Sequence, residues 1–120
     1  MVVRQVRPED ARRADRLFHA LADATRRDIV TQTLDRDRSV SELARLYPMS
    51  FAAVQKHVAV LEEAGLVTKH PKGREQLVRS NLDTVRQAAR LLDEFEAVWR
   101  GRIDRIDEIL VDENHGGNKP

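Results

Sequence analysis

Gln55 and Lys56 stand side by side in residues 50–67, SFAAVQKHVAVLEEAGLV, on what the spacing makes the outward face of a helix. A glutamine amide donates and accepts at once, so it can bond an adenine edge in two places, while a lysine ammonium suits guanine or phosphate. Phe51, Ala52 and Ala59 fall on the same side, and no acid occurs between residues 51 and 59. The other side is set by Val54, Val58 and Leu61, whose steps of four and three are those of a helix stripe that packs inward. Ser50 can cap the helix start and offer its hydroxyl or backbone N–H to a phosphate. Gly65 can end the helix in a left-handed turn, and Leu66 and Val67 then begin a strand. A short helix with an acid-poor outer face, running straight into a strand, is what a major-groove reader needs.

A second basic element follows. Residues 69–79, KHPKGREQLVR, hold four Lys/Arg and one acid. LVTKH and QLVRS alternate in part and are separated by PKGRE, which predicts a two-stranded hairpin with a basic tip. Lys72 and Arg74 at that tip have no core role and suit phosphate or the minor groove; Lys69 and Arg79, on the strands, are weaker candidates. His57 flanks the inner stripe of the helix, and two readings stay open for it: a half-buried side chain satisfied by a neighbour, or a contact to the nucleic-acid backbone.

These residues need a scaffold, and the chain supplies its signals. Residues 1–9 include a proline, Pro8, and show no helical apolar stripe, which predicts a loose arm. From Asp10, the positions Ala14, Leu17, Phe18 and Leu21 mark a first amphipathic helix. Asp23 or Thr25 can cap a second, with Ile29, Val30 and Leu34 inward. Ser39 and Glu42 make a capping-box pattern over a short helix at Val40, Leu43, Ala44 and Leu46. Pro48 stops it, and the tight turn to Ser50 makes the two helices a helix-turn-helix. Asn81 or Asp83 caps a final helix of about 28 residues, roughly 40 Å long. The expected fold is mainly α with a small β-hairpin: a winged helix-turn-helix domain over residues 10–112, with a disordered tail at 113–120.

The final helix carries Ala88, Leu92, Phe95, Trp99, Ile103, Ile106 and Leu110 in steps of four and three. One small domain cannot cover all of these, so the stripe predicts an interface. Pairing with a second copy about a two-fold axis is the simplest cover, through Leu17 from the first helix and Leu92, Phe95, Trp99, Ile103 and Ile106. The alternative is a helix folded back on its own domain.

Composition narrows the field. Of 120 residues 34% are charged, yet the formal net charge is +1. Residues 1–80 hold 15 Lys/Arg against 11 Asp/Glu, and residues 81–120 hold 6 against 9, so a basic body precedes an acidic end. There is no cysteine, which excludes disulfides, zinc knuckles and thiol redox chemistry. No run is long enough for a membrane span and the N-terminus lacks a signal-peptide core, so a soluble cytoplasmic protein is expected. The four histidines lie on different elements, and no catalytic triad or phosphate loop is visible; catalysis and cofactors are not expected.

With the order helix, helix, helix-turn-helix, hairpin and long helix in place, the chain resembles the ArsR family of bacterial winged-helix regulators. LFHALADATRRDIV (residues 17–30) is similar to that family's opening signature, and SVSELARLYPMSFAAVQKHVAVLEEAGLV (residues 39–67) to its helix-turn-helix. The resemblance implies a homodimer that binds a palindromic operator in double-stranded DNA and represses its own operon. It also implies that Arg26 and Arg27 are mostly structural, bridging to carboxylates, and that His57 can reach the DNA backbone. Metal-sensing members carry a Cys-x-Cys pair where this chain has Ser39-Val40-Ser41, and others bind zinc through Asp and His on the final helix. Here that helix has no histidine before His115. No metal site is expected, and the resemblance points to the metal-independent branch, with room left for an unidentified small-molecule effector. A winged helix that binds proteins and no longer reads DNA is the alternative from another class.

Overall fold

A computed structural model of the chain describes the backbone of residues 8–117 and the side chains as far as Val111. Five helices and three strands follow in the order α1 (Pro8–Leu21), α2 (Ala24–Asp35), β1 (Arg38–Ser39), α3 (Val40–Leu46), α4 (Phe51–Glu63), β2 (Val67–Lys72), β3 (Glu75–Ser80) and α5 (Leu82–Gly117). Two compact units divide at Ala88 and Ala89. The boundaries differ from the expected ones at both ends. Pro8 and Glu9, assigned to a loose arm, open α1, where a missing proline N–H costs nothing. At the far end the backbone stays helical through residues 113–117. The rest of the expected arm and tail, residues 1–7 and 118–120, lies outside the described residues.

Most helix ends in the first unit are satisfied by short local bonds. Asp23 starts α2 by accepting from the Arg26 N–H, 3.0 Å away. Ser39 and Glu42 form the full capping box: Ser39 Oγ accepts from the Glu42 N–H, and Glu42 Oε1 accepts from the Ser39 N–H. Ser50 Oγ accepts from the Ala53 N–H, and Asn81 Oδ1 from those of Asp83 and Thr84. At the end of α4, Gly65 takes φ +78, Leu66 N–H reaches Leu61 O and Gly65 N–H reaches Glu62 O, both at 2.9 Å. That is a complete Schellman motif, and only glycine adopts its left-handed residue without strain.

The core of this unit is built on Leu17, Ile29, Leu43, Val54, Leu61 and Val78, each without exposed surface. Leu34, expected inward, is 45% exposed, and Leu46 on α3 is 48% exposed. Thr33 takes the inward place on α2. Its hydroxyl donates back to the Ile29 carbonyl at 2.7 Å, which lets the residue bury at no unsatisfied polar cost.

The hairpin gains a third strand. β1 pairs antiparallel with β3 (Arg38 opposite Val78, Ser39 opposite Leu77), giving the order β1-β3-β2. Ser39 must be extended to cap α3, and the same extended backbone offers its edge to β3. Asp37, just before β1, receives two bonds from the Arg79 guanidinium at 2.9 and 2.8 Å.

Three half-buried carboxylates therefore sit below their ordinary values: Asp23 through the Arg26 backbone N–H, Asp37 through Arg79, and Glu42 through the Ser39 backbone and Arg36. A lowered folded pKa contributes stability that is complete above the unfolded value and is lost as pH falls through the folded one. The chain is expected to lose stability as pH drops below about 4.5 and further below 3.8, the ordinary values of these groups. Thermal melts of the parent and of Asp37→Asn across that range check this: the variant is expected to show a shallower acid slope, and identical slopes would refute it.

Candidate nucleic-acid interface

α3 and α4 are joined through Tyr47, Pro48, Met49 and Ser50, with the Met49 N–H bonded to the Tyr47 carbonyl at 2.9 Å. The turn is anchored to α2 by Tyr47, whose hydroxyl donates to Asp28 Oδ2 at 2.6 Å. Partial burial and the Asp28 carboxylate both push the Tyr47 pKa upward, so the phenol remains a donor throughout the ordinary pH range. α4 then packs against α2, α3 and β2. Val54, Val58 and Leu61 are at most 1% exposed, as their spacing predicts.

The outer face stands free. Ser50, Phe51, Ala52, Gln55, Lys56 and Ala59 are all exposed, Phe51 by 47% of its surface. Ser50 Oγ is occupied as the cap acceptor, but its own hydroxyl proton remains available to a phosphate. This face joins amide, ammonium, aromatic and methyl groups over two turns with no carboxylate among them.

The wing is tighter than expected. Pro71 and Lys72 belong to β2 and Glu75 to β3, with Lys72 opposite Glu75, so the loop shrinks from five residues to Gly73 and Arg74. Gly73 has φ +61 and Arg74 does not share the positive region, as a two-residue II′ turn requires. Lys72 and Arg74 are exposed at the tip. The strand cations are engaged elsewhere: Lys69 Nζ lies 3.4 Å from Glu62 Oε1, and Arg79 is clamped to Asp37. Among the described residues no ion pair engages Lys56, Lys72 or Arg74.

Arg26 and Arg27 are structural, with partners other than the expected carboxylates. Arg26 Nε donates to the Ala20 carbonyl at 2.7 Å and Nη2 to the His19 carbonyl at 3.0 Å; Arg27 Nη1 donates to the Leu21 carbonyl at 2.8 Å. The pair thus closes the open carbonyl end of α1, where cations are favoured. The remaining Arg26 nitrogen, Nη1, lies 3.2 Å from His57 Nδ1. Helix periodicity could not show this, because the two residues are 31 positions apart. Arg45 is exposed on α3, where its Nε donates to the Ser41 carbonyl at 3.3 Å.

In the second unit the apolar stripe of α5 is uncovered: Leu92 is 55% exposed, Phe95 72%, Trp99 57%, Ile103 42% and Ile106 51%. Leu17, grouped with them from the sequence, does not belong there. It has no exposed surface and fills the core of its own unit, so it offers no atoms to a partner. Among the described residues no helix is long and apolar enough to cross a membrane, and no group of three or more His, Asp or Glu is placed to hold a metal ion.

A buried-stripe helix, a tight turn before it and a basic two-residue wing after it define a winged helix-turn-helix DNA-binding fold. A family model described as a helix-turn-helix domain matches residues 21–70. The HTH-type transcriptional regulator Rv2034 of Mycobacterium tuberculosis is 40% identical over 102 residues, 85% of this chain and 92% of that protein. The structure of an ArsR-like transcriptional regulator from Rhodococcus sp. RHA1 superposes with a TM-score of 0.69 at 34% identity, covering 82% of this chain and 93% of that one. A homodimeric winged helix-turn-helix domain from Mycobacterium bovis shares the fold at 22% identity, over 79% of this chain and 91% of its own, with a TM-score of 0.62. The chain belongs to the ArsR family of winged helix-turn-helix transcriptional regulators.

If the inner stripe is what holds α4, Leu61→Ala is expected to lower stability by about 2–5 kcal/mol in a urea titration. A loss below about 1 kcal/mol would mean that α4 is held by something else.

Proposed function

We propose that the chain is a homodimeric, sequence-specific DNA-binding repressor that acts on a palindromic operator, its own promoter included. The observation that carries this reading is the outer face of α4, exposed and free of acids on a helix whose inner face is fully buried. A helix held rigidly on one side and bare on the other can enter a major groove without reorganising, and Gln55 and Lys56 supply the base-edge and phosphate groups there. Phe51 and Ala52 give apolar contact suited to a thymine methyl, and Ser50 bonds phosphate at the helix start. Lys72 and Arg74 hold the flanking backbone, adding affinity more than sequence preference.

The dimer forms through Leu92, Phe95, Trp99, Ile103 and Ile106 of α5. Two copies related by a two-fold axis place their reading helices in successive major grooves about 34 Å apart, which is why the operator is palindromic. A dimer seated over a promoter excludes polymerase by occupancy alone, so repression needs no further chemistry. The regulator is not a metal sensor of the thiolate type, since it has no cysteine, and α5 lacks an imidazole among residues 82–114 to make its carboxylates selective for a transition metal. An organic effector fits this reading better than an ion does.

Three measurements test it. In a binding assay on the upstream region, Gln55→Ala with Lys56→Ala is expected to abolish sequence preference while low-salt binding persists; unchanged preference would remove the reading role from this face. Lys72→Ala with Arg74→Ala is expected to weaken all duplexes alike and lower the salt slope by about 0.9 for each phosphate no longer neutralised. Sedimentation of Trp99→Glu is expected to show monomer where the parent sediments as dimer; a monomeric parent, or no duplex retained by the parent even at low salt, would favour a protein-binding winged helix instead.

A further inference from the structure

One residue of the reading helix faces neither the core stripe nor the exposed reader face. His57 is half-buried on the flank of α4, and its Nδ1 lies 3.2 Å from Arg26 Nη1. A guanidinium only donates and stays protonated in proteins, so the bond has one direction: Arg26 donates and His57 Nδ1 accepts. That requires an imidazole unprotonated at Nδ1, with its hydrogen on Nε2. The same guanidinium bonds the carbonyls of His19 and Ala20 in the last turn of α1, and the Arg26 backbone N–H bonds the Asp23 cap of α2. From its place at the start of α2, Arg26 therefore joins the end of α1 to the middle of α4 through one planar group.

We infer that Arg26 and His57 are positioning residues for DNA reading, His57 acting through Nδ1 as the acceptor that sets α4 against the α1–α2 corner, and making no DNA contact of its own. The physical reason lies in how α4 is otherwise held. Val54, Val58 and Leu61 fix its depth, but apolar packing is non-directional and tolerates a small roll or slide along the helix axis. A hydrogen bond from a planar group anchored at two other points is directional, and it limits the motions that packing permits. A roll of α4 would carry Gln55 off a base edge while leaving the charge near phosphate unchanged. Loss of the bond should therefore cost sequence preference more than overall affinity.

This inference rests on the DNA-reading proposal for its consequence, but the bond itself can be tested without DNA. Long-range 1H–15N spectra of the free protein report the His57 tautomer. The expected result is the Nε2–H form, with Arg26→Lys releasing the ring to a mixture of tautomers; an Nδ1–H ring in the parent, or a tautomer indifferent to Arg26→Lys, overturns the bond. The binding arm uses three variants whose side chains separate the ring nitrogens. Asparagine places an amide oxygen near the position of Nδ1, glutamine reaches instead toward Nε2, and alanine reaches neither.

His57→Ala and His57→Gln are expected to lose about tenfold of the preference for operator over scrambled duplex, the scale of one charge-assisted bond. His57→Asn is expected to recover most of that loss, and all three should keep the parent's salt slope. Recovery by glutamine and not by asparagine, or a salt slope lowered by about 0.9, would show a direct phosphate contact through Nε2 and overturn the positioning role. Unaltered preference in all three would overturn it as well. A parent that binds every duplex equally would defeat the DNA-reading proposal, and the tautomer spectra would still decide whether the Arg26–His57 bond exists.

Discussion

Burial of Val54, Val58 and Leu61 is the constraint on which the rest of the structure depends. These side chains lie on one side of a 13-residue helix and leave the other side bare. The surrounding elements complete that seat: α2 and α3 pack on the helix, β2 leaves directly from its end, and the Gly65 turn sets the angle of departure. With its outer face bare, α4 is fixed by one stripe, its two ends and the flank at His57.

Cations are divided accordingly into those that hold the fold and those that stay available. Arg26 and Arg27 close the carbonyl end of α1, Arg36 supports the α3 capping box, Arg79 clamps Asp37 and Lys69 meets Glu62. Lys56, Lys72 and Arg74 stand exposed on α4 and the wing. Net charge conceals this division, since a value of +1 counts both kinds alike. What matters for a polyanion is which positive groups still have unspent bonds, and exposed surface pairs among the others add little to stability in any case.

α5 follows a different logic in the second unit. Charged and apolar residues interleave over residues 89–111, and Leu92, Phe95, Trp99, Ile103 and Ile106 remain exposed along one stripe. Contiguous exposed apolar surface of this kind is characteristic of interfaces. The membership of Leu17 in that surface was a false inference from pattern: an amphipathic helix shows which residues are apolar together, but not which neighbour they meet.

The helices, the hairpin and their caps were legible in the sequence because they are decided within a few residues. Asp23, Ser39, Ser50 and Asn81 bond N–H groups two or three positions on, Gly65 needs only its own backbone, and steps of three and four are a property of the helix itself. The exposed face of α4 was legible for the same reason, since it is the complement of a stripe. Position across the fold was not legible. Whether Thr33 or Leu34 turns inward, that Ser39 adds a strand to the hairpin, that Leu17 lies in the core, and that Arg26 reaches His57 all depend on which surfaces meet. Those meetings bring together residues tens of positions apart, whose spacing carries no periodic signal, and only the packed chain selects them.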